Sequence, residues 1–189
     1  MNSNWKSFVL AFALSLFVGY KGFIHFYPNL LFLGAKQKIG GAENSFKHAK
    51  LPDEFSRFVV KPNPDFLYSS CFYNLNNGPL LVEAAALPTS YWSLALYAPN
   101  TVNFYVKNNV VSKTAKLKLF LAQREEDRSC MPSGAEFLRP KEAKGVLLFR
   151  FLVTDTSESS FPKIKQAQKS LHLRPISCDP YLINKGINR

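Results

Sequence analysis

Histidine is scarce in this sequence, and its placement argues against the commonest form of nucleophilic catalysis. The three histidines are His25 in an apolar N-terminal stretch, His48 in a polar segment and His172 near the C-terminus. A Ser-His-Asp triad needs a histidine positioned beside the nucleophile, and the long middle of the chain has none. We interpret His48 as a solvated side chain, because it lies among lysines in a polar segment. No second metal ligand lies near it in the sequence, which argues against a metal role.

Other chemical motifs are missing as well. The sequence has no glycine-rich phosphate loop and no cluster with metal-ligand spacing, so it predicts neither a cofactor nor a metal site. Glu125, Glu126 and Asp127 form a carboxylate run, but Arg128 follows directly. We interpret this run as a solvated turn rather than as an acid/base pair.

Cysteine is limited to three residues that form no Cys-x-x-Cys pair. Cys71 lies in an apolar, strand-like run and is predicted to be a small buried side chain. Cys130 and Cys178 lie in loop-like segments, where an oxidising compartment would allow them to pair and would leave one thiol over. Because sequence does not determine connectivity, the pairing of Cys130 with Cys178 stays open at this point.

Acidic residues are few, and the basic excess is concentrated at the two ends of the chain. The formal net charge is +11 over 189 residues. Residues 1–50 carry six lysines and one glutamate, residues 160–189 carry six basic residues and one aspartate, and residues 51–159 carry twelve basic and eleven acidic residues. A nucleic-acid-binding domain is expected to have a basic face on its folded core. The neutral middle therefore argues against a nucleic-acid partner, and the basic ends favour anionic membrane lipid.

The N-terminus carries a long uncharged run, from Ser7 to Tyr20. A helix from Trp5 to Tyr27 would span about 34 Å, enough for the roughly 30 Å hydrocarbon core of a bilayer. Trp5 and Tyr27 would then lie at the two interfaces, where amphipathic aromatic residues collect. Pro28 is predicted to end this helix.

A cleaved signal peptide is the alternative interpretation of the same run, since Lys6 precedes an apolar segment of suitable length. The small residues of a cleavage site are poorly placed. Ala11 and Ala13 lie too early, and a ring at Phe17 occupies a position that needs a small side chain. We therefore predict an uncleaved, single-pass anchor.

The chain is divided into three parts on this basis. Residues 1–28 are the predicted membrane anchor, residues 29–50 a juxtamembrane connector, and residues 51–189 a single β-rich domain. The roughly 155 residues outside the apolar N-terminus are enough for one hydrophobic core. Within the connector, Leu30 to Ile39 is predicted as a short amphipathic helix that ends at two glycines.

The composition of the domain and the turn residues between its apolar runs favour β-strands. Aromatic residues make up 14% of the chain, with 17 Phe and 8 Tyr against 2 Met, a bias typical of pleated surfaces. Apolar runs between turn signals predict seven strands: Arg57–Lys61, Phe66–Tyr73, Leu80–Ala86, Tyr91–Ala98, Val102–Lys107, Lys116–Ala122 and Gly145–Thr154. A helix capped by Ser159 or Ser160 is predicted to run to about Leu171.

These elements predict a mainly β fold: a β-sandwich or jelly-roll-like barrel with an N-terminal transmembrane helix and a C-terminal helix. Alternation predicts that Trp92, Leu94 and Leu96 share one face of their strand. Gly145–Thr154 is apolar almost throughout and is predicted to be central, whereas Lys116–Ala122 alternates lysine with leucine and is expected to have one face in water.

Four blocks of the strand region resemble a known family. They are VVKPNPDFLY at Val59–Tyr68, NNGPLLV at Asn76–Val82, YWSL at Tyr91–Leu94 and YAPNTVNF at Tyr97–Phe104. In the order and spacing of these blocks the chain resembles DUF1254, a bacterial family of unknown function, in its short membrane-attached form. The resemblance implies a β-sandwich or barrel in the cell envelope and commonly a protein partner that carries a companion jelly-roll domain. It implies no established reaction.

The best candidates for ligand binding are polar residues of the matched blocks and of the late apolar strand: Asn63, Asp65, Tyr68, Asn100, Asn103 and Arg150. If Asp65 opens one strand and Asn100 lies in the turn after another, both would converge on one barrel mouth, where ligands often bind. The alternative is structural. Asn and Asp cap turns, a tyrosine hydroxyl binds backbone, and Arg150 can pair internally with Asp65 or Glu83.

The sequence therefore predicts a membrane-anchored bacterial cell-envelope β-domain that binds a partner protein or a small ligand. The predicted location is the inner membrane, with a single pass and the soluble domain on the periplasmic side, although the lysines on the two sides of the apolar run are nearly balanced. The alternative is an envelope enzyme that acts on a small substrate at a barrel mouth, through Asp65, Tyr68 and Arg150.

Overall fold

The N-terminal helix is longer than the sequence predicts. A computed structural model describes residues 4–53, 55–56, 62–112, 114–154 and 161–178, and in it helix α1 runs from Asn4 to Ile39. Pro28 lies inside α1, so the prediction that it ends the helix is wrong; one proline removes one backbone hydrogen bond, a loss that a 36-residue helix tolerates. Gly40 follows α1 at φ +67° and donates its N–H to the carbonyl of Lys36 (2.9 Å), which is the predicted glycine end.

Helix α1 carries its apolar side chains on its surface. Its most apolar 18-residue window has a mean hydropathy of 1.8, and none of that window is buried. By length and composition α1 can cross a membrane, and a signal sequence has the same two properties. Near the C-terminal end of α1, the ring of Phe32 packs edge-on against Phe72 of the β-domain, with 5.6 Å between centroids.

The connector after α1 is bound to the β-domain. Asn44 lies in the left-handed region at φ +58°, and its side chain pairs with both the N–H (2.7 Å) and the carbonyl (3.0 Å) of Asn74. The side-chain amide of Asn74 donates to Glu43 (2.8 Å), which also forms an ion pair with Lys36 of α1. These bonds hold the end of α1 against the sandwich.

The β-domain consists of two sheets. In chain order the strands are β1 (Lys47–His48), β2 (Phe66–Asn74), β3 (Leu80–Ala84), β4 (Trp92–Tyr97), β5 (Asn103–Asn108), β6 (Leu117–Leu121), β7 (Glu136–Leu138), β8 (Lys144–Leu152) and β9 (Leu171–Pro175). The five-stranded sheet has the order β1-β2-β8-β4-β5, and the four-stranded sheet has the order β7-β6-β3-β9. Strands β6 and β7 are parallel, and the other pairs are antiparallel. Strand β8 is central in its sheet, as its sequence predicts.

Helical segments connect the strands: α2 (Asn109–Ser112), a 3-10 helix (Glu125–Cys130) and α3 (Phe161–Lys169). The predicted mainly β fold with a C-terminal helix is confirmed, and six of the predicted strands are present with bounds that shift by at most two residues. The strand predicted at Arg57–Lys61 and the cap at Ser159 or Ser160 lie outside the described residues. Strands β1, β7 and β9 were not predicted. Strands β1 and β7 are too short to show an alternating pattern, and β9 begins at Leu171, where the predicted helix was expected to end.

Alternating side chains of both sheets fill the space between them. Trp92, Leu94 and Leu96 of β4 face inward and are fully buried, as their alternation predicts. Other strands contribute to the same core: Leu67, Cys71, Tyr73, Leu80, Val82, Leu119, Leu121, Leu147, Phe149 and Phe151. Burial of Cys71 confirms its predicted role and raises the pKa of its thiol to about 12, so this cysteine stays a neutral core side chain.

A smaller cluster covers the far side of the four-stranded sheet. Leu81 and Phe120 point away from the main core yet are fully buried, because a disulfide between Cys130 and Cys178 packs against them. The prediction that β6 has one face in water therefore holds at Lys118, which is exposed, and fails at Phe120.

Candidate functional site

The side of the five-stranded sheet that faces away from the core is called the outer face. Its side chains form rows, because paired residues of neighbouring antiparallel strands point to the same side. A polar row consists of Tyr68, Arg150, Ser93 and Asn108. The next row consists of Lys47, Ser70, Leu148, Ala95 and Val106 and is apolar from Leu148 to the β5 edge. The outer face therefore places Arg150 beside a row that is apolar over its central and β5 strands, with Lys47 at the β1 edge.

Arg150 is half-buried on the central strand of the outer face, near one end of that strand. Its Nε donates to Ser93 Oγ (3.1 Å), and its guanidinium lies 5.9 Å from the ring centroid of Phe66. The ring of Phe66 in turn lies 6.2 Å from Tyr91 and 6.3 Å from Tyr68, centroid to centroid. The ring of Phe66 thus lies beside the guanidinium, and the rings of Tyr68 and Tyr91 in turn pack against Phe66.

The carboxylates that were expected to neutralise Arg150 lie elsewhere. Glu83 is on the four-stranded sheet, where it pairs with Arg174 (3.1 Å) and Lys118 (4.0 Å). Asp65 is exposed just before β2. Among the residues that the structure describes, no carboxylate forms a salt bridge with Arg150, so the internal pair considered as an alternative is not formed.

Asn63, Asp65 and Tyr68 lie together at the start of β2. Asn63 Oδ1 accepts the N–H of Asp65 (2.9 Å), and the hydroxyl of Tyr68 accepts the N–H of Asn63 (3.2 Å). These are the turn contacts that the structural alternative predicts. Tyr68 is also the direct cross-strand partner of Arg150, so these four residues share one end of the outer face.

Asn100 and Asn103 lie at the opposite end of the sheet. Asn100 Oδ1 accepts the N–H of Val102 (3.2 Å) in the turn between β4 and β5, and Asn103 is exposed. Strands β2 and β4 are both antiparallel to β8, so they run in the same direction. The start of β2 and the end of β4 are therefore about 20 Å apart along a six-residue strand. The predicted convergence of Asp65 and Asn100 on one barrel mouth is wrong.

The carboxylate run begins the 3-10 helix. Asp127 is only 4% exposed and accepts a hydrogen bond from Arg124 (2.7 Å), while exposed Glu125 pairs with Arg128 (2.7 Å). The solvated-turn interpretation therefore holds for Glu125 and fails for Asp127. Over the described part of the chain, no group of three or more His, Cys, Asp or Glu side chains could hold a metal ion.

A cleft between β1 and β9, at one side of the sandwich, was not predicted. His48 Nδ1 lies 2.9 Å from the hydroxyl of buried Ser69, and its ring is parallel to that of Phe46 at 6.4 Å. Lys169 and His172 line the same cleft. His48 is exposed, as predicted, and also contacts the sheet through one ring nitrogen. Its neighbourhood with His172 had no signal in the sequence, because a long segment separates them.

We expect the protein to lose stability at mildly acidic pH because of His48. Partial burial of the ring, and to a lesser degree the charge of His172, lower the pKa of His48 below its ordinary value. A lowered pKa means that the folded state favours the neutral ring, so this stabilisation is complete above about pH 6.5 and is lost as the pH falls through the pKa of the folded state. Thermal unfolding at a series of pH values measures it.

The matched variants for this measurement are His48→Gln and His25→Gln. The first should flatten the dependence of the melting temperature on pH below about 6.5, because the titrating ring is gone. The second removes a histidine of α1, which lies outside the cleft, and should leave the dependence as in the unsubstituted protein. An unchanged slope in His48→Gln would show that His48 does not couple folding to pH.

Comparisons with known proteins concern the β-domain. A family model described as "Protein of unknown function (DUF1254)" matches residues 43–175, from the connector to the end of β9. Among curated proteins, none matches this chain.

A solved structure shares the fold. The VPA0106 protein from Vibrio parahaemolyticus aligns with a TM-score of 0.57 at 12% sequence identity, over 84% of this chain and 38% of that chain. An uncharacterized protein from Burkholderia cenocepacia aligns with a TM-score of 0.43 at 16% identity, over 88% of this chain and 46% of that chain. This chain therefore spans less than half the length of either protein.

Proposed function

The chain belongs to the DUF1254 family of proteins of unknown function, and we propose that it is a membrane-anchored β-sandwich that binds a partner protein through the outer face. The observation that carries the proposal is the state of Arg150. This guanidinium is half-buried, lies beside the ring of Phe66 and bonds to one neutral hydroxyl, with no salt bridge to any described carboxylate.

Such an arginine is suited to protein recognition. Arginine, tyrosine and tryptophan dominate binding hot spots, where a ring of apolar neighbours excludes water. Among the described residues, neither Nη atom of Arg150 has a hydrogen-bond partner, and a guanidinium edge of this kind can take a carboxylate through two parallel hydrogen bonds. The partner therefore presents an Asp or Glu side chain, or a C-terminal carboxylate, to Arg150.

The rows beside Arg150 supply the apolar part of this interface. Leu148 and Val106 lie in the neighbouring row, and Val106 is 55% exposed. Phe66 and Leu152 form a cross-strand pair on the other side of Arg150 and are half-buried. Protein interfaces have this composition, with apolar and aromatic side chains at the centre and arginine favoured over lysine.

Helix α1 would anchor the domain in the bacterial inner membrane as a single pass. Its 36 residues span about 54 Å, well beyond the roughly 30 Å hydrocarbon core, and the contact of Phe32 with Phe72 holds the emerging end against the outer face. The disulfide of Cys130 with Cys178 supports a periplasmic position for the domain, since disulfides persist in oxidising compartments.

A companion jelly-roll domain is the proposed partner. This domain type follows from the family resemblance, and the length comparison supports it: the VPA0106 chain is matched over only 38% of its length. In this proposal the companion domain lies on a second polypeptide, whereas the longer chains carry both domains in one polypeptide. The domain would then act as an anchoring scaffold with no reaction of its own.

The test compares two arginine variants of the full chain in its native membrane. The matched pair is Arg150→Gln and Arg174→Gln; Arg174 lies on the other sheet and is paired with Glu83. After detergent extraction and capture, quantitative mass spectrometry should find one stoichiometric protein with the unsubstituted chain and with Arg174→Gln. Its apparent affinity should fall about 30-fold with Arg150→Gln, the size of a hot-spot contact.

Two other outcomes would replace the proposal. A small molecule that copurifies without any protein, and is lost in Asp65→Asn, would support the envelope-enzyme alternative in which Asp65, Tyr68 and Arg150 act on a small substrate. Copurification of anionic lipid alone, released by high salt, would make the outer face a lipid-binding surface. Equal protein capture by all variants would place the partner on another surface.

A further inference from the structure

One end of the five-stranded sheet is bonded to the last turns of α1. Because β8 pairs antiparallel with β2 and β4, and β5 pairs antiparallel with β4, four strand termini lie at this end, which is called the Asn74 end: Asn74 of β2, Tyr97 of β4, Asn103 of β5 and Lys144 of β8. Asn74 is bonded to Glu43 and Asn44 of the connector. Glu43 in turn pairs with Lys36 of α1, so α1 reaches the sheet at the Asn74 end.

Two further contacts give the direction in which α1 leaves the sheet. Lys47, the cross-strand partner of Ser70, donates a hydrogen bond to the carbonyl of Ile39 at the end of α1. Earlier in the helix, Phe32 packs against Phe72, which lies closer to the Asn74 end than Ser70 does. Tracing α1 back from Ile39 therefore leads toward the Asn74 end and past it.

The contact of α1 with the domain stops where the membrane is expected to begin. One face of the helix carries half-buried side chains at helical spacing from Pro28 onward: Pro28, Phe32, Ala35, Lys36 and Ile39. Between Trp5 and Tyr27, only Gly22 is half-buried and every other residue is exposed. Tyr27 is the predicted interface residue, and Phe32 lies only about 7.5 Å further along the helix. The Asn74 end would therefore lie close to the bilayer surface.

The loops at the Asn74 end are suited to a membrane surface. The turn between β4 and β5, residues 98–102, has no charged residue and exposes Val102 (54%). Next to it, Lys141 and Lys144 are exposed and form no salt bridge with a described carboxylate, and Glu142 is the one carboxylate between them. Apolar side chains beside lysines favour contact with lipid, because the former enter among the headgroups and the latter bind anionic phosphate.

We propose that the Asn74 end lies on the membrane surface, with Val102 among the lipid headgroups and with Lys141 and Lys144 bound to anionic lipid phosphate. This inference rests on the proposed membrane span of α1 and adds to it the orientation of the domain. Arg150 lies six residues beyond Lys144 on β8, about 20 Å along the strand. The polar row of the outer face is thereby held away from the lipid, where a protein partner can reach it.

Spin labels on single introduced cysteines measure how deep each site lies in a bilayer. The native cysteines do not react, because Cys130 and Cys178 form a disulfide and Cys71 is buried. The full chain is placed in nanodiscs of phosphatidylcholine and phosphatidylglycerol. The three labelled variants are Val102→Cys at the Asn74 end, Val110→Cys on α2 at the opposite end of the sheet, and Leu16→Cys in the middle of the predicted span. All three side chains are exposed in the domain or on α1.

Access of a water-soluble nickel complex to each label distinguishes the outcomes. The label at Val102 should be shielded several-fold relative to the label at Val110, and the label at Leu16 should be shielded most and be reached by oxygen, which dissolves in lipid. Equal access at Val102 and Val110, with Leu16 shielded, would overturn this inference and leave the membrane span intact. A label at Leu16 that is fully open to the nickel complex would overturn the membrane span and this inference with it.

A charge reversal tests the two lysines. Lys141→Glu combined with Lys144→Glu should raise the access at Val102 toward the value at Val110, because the anionic headgroups would then repel this end. The matched control is Lys163→Glu combined with Lys165→Glu on α3; both lysines are exposed, and this helix is bonded near the start of β2, through Gln168 and the carbonyl of Tyr68. The control should leave the access at Val102 unchanged. Unchanged shielding in the first pair would overturn the assignment of Lys141 and Lys144 to lipid phosphate.

Discussion

Replacing Cys130 and Cys178 together by alanine is expected to lower the free energy of unfolding by about 4 kcal/mol, from the chain-entropy relation for a loop of this length. The two residues are 48 positions apart in the sequence, with Cα atoms 5.5 Å apart. Without the bond the unfolded chain gains the freedom of that loop. The native state also loses the cover over Leu81 and Phe120, whose burial depends on this segment.

Chemical denaturation in detergent measures this loss, followed by the fluorescence of Trp92, which is fully buried in the sandwich. The matched control is Cys71→Ala, which removes a buried cysteine outside the bond and should cost about 1 kcal/mol for a small cavity. A thiol reductant should shift the unsubstituted protein toward the double variant and leave the double variant unchanged. If the reductant has no effect on the unsubstituted protein, the bond does not stabilise the fold.

Gly145→Ala is expected to destabilise the domain by about 3 kcal/mol, at the upper end for overpacking a core. Gly145 lies in β8 directly opposite Tyr73 of β2. A Cβ at this position would lie 2.6 Å from Cε1 of Tyr73 and would also overlap its hydroxyl and the carbonyl oxygen of Tyr97. A backbone carbonyl in a sheet cannot move aside as a flexible side chain does, so the central strand itself must shift.

Chemical denaturation in detergent tests this prediction as well, and two further variants serve as a control and as a compensating substitution. Gly22→Ala adds a methyl group where nothing lies within 4 Å, so the unfolding of the sandwich should not change. Tyr73→Phe removes a buried hydroxyl that has no hydrogen-bond partner among the described residues. Combined with Gly145→Ala, it should recover part of the lost stability. A wild-type midpoint for Gly145→Ala would show that β8 accommodates a side chain here.

The local features of this protein could be predicted from its sequence. Alternation placed Trp92, Leu94 and Leu96 in the core, and turn residues separated the strands, because side chains alternate along any strand and turns need particular residues. The apolar run predicted a helix of membrane-spanning length, and the matched blocks predicted the family. Pro28 was the exception, since the preference of proline for helix ends is only statistical.

The site depended on relations between distant parts of the chain. Asp65 and Asn100 looked convergent, but the placement of β8 between β2 and β4 puts them at opposite ends of the sheet. Arg150 lies beside the ring of Phe66 without a salt bridge to a described carboxylate, and the stacking of the two sheets brings His48 on β1 near His172 on β9. Residues that are close in space but far apart in the sequence leave no local pattern in the sequence, because strand pairing and sheet stacking bring them together.

The sequence by itself determined six of the nine described strands, the inward face of β4, the apolar helix and the blocks that carry the family resemblance, because each depends on residues within a few positions of one another. The tertiary structure alone decided the pairing of Cys130 with Cys178, the isolation of Arg150 on the outer face and the position of the β4–β5 turn at the Asn74 end of the sheet. Those three depend on which strands become neighbours. That choice is made by burial of the whole core, in which every strand competes for the same partners.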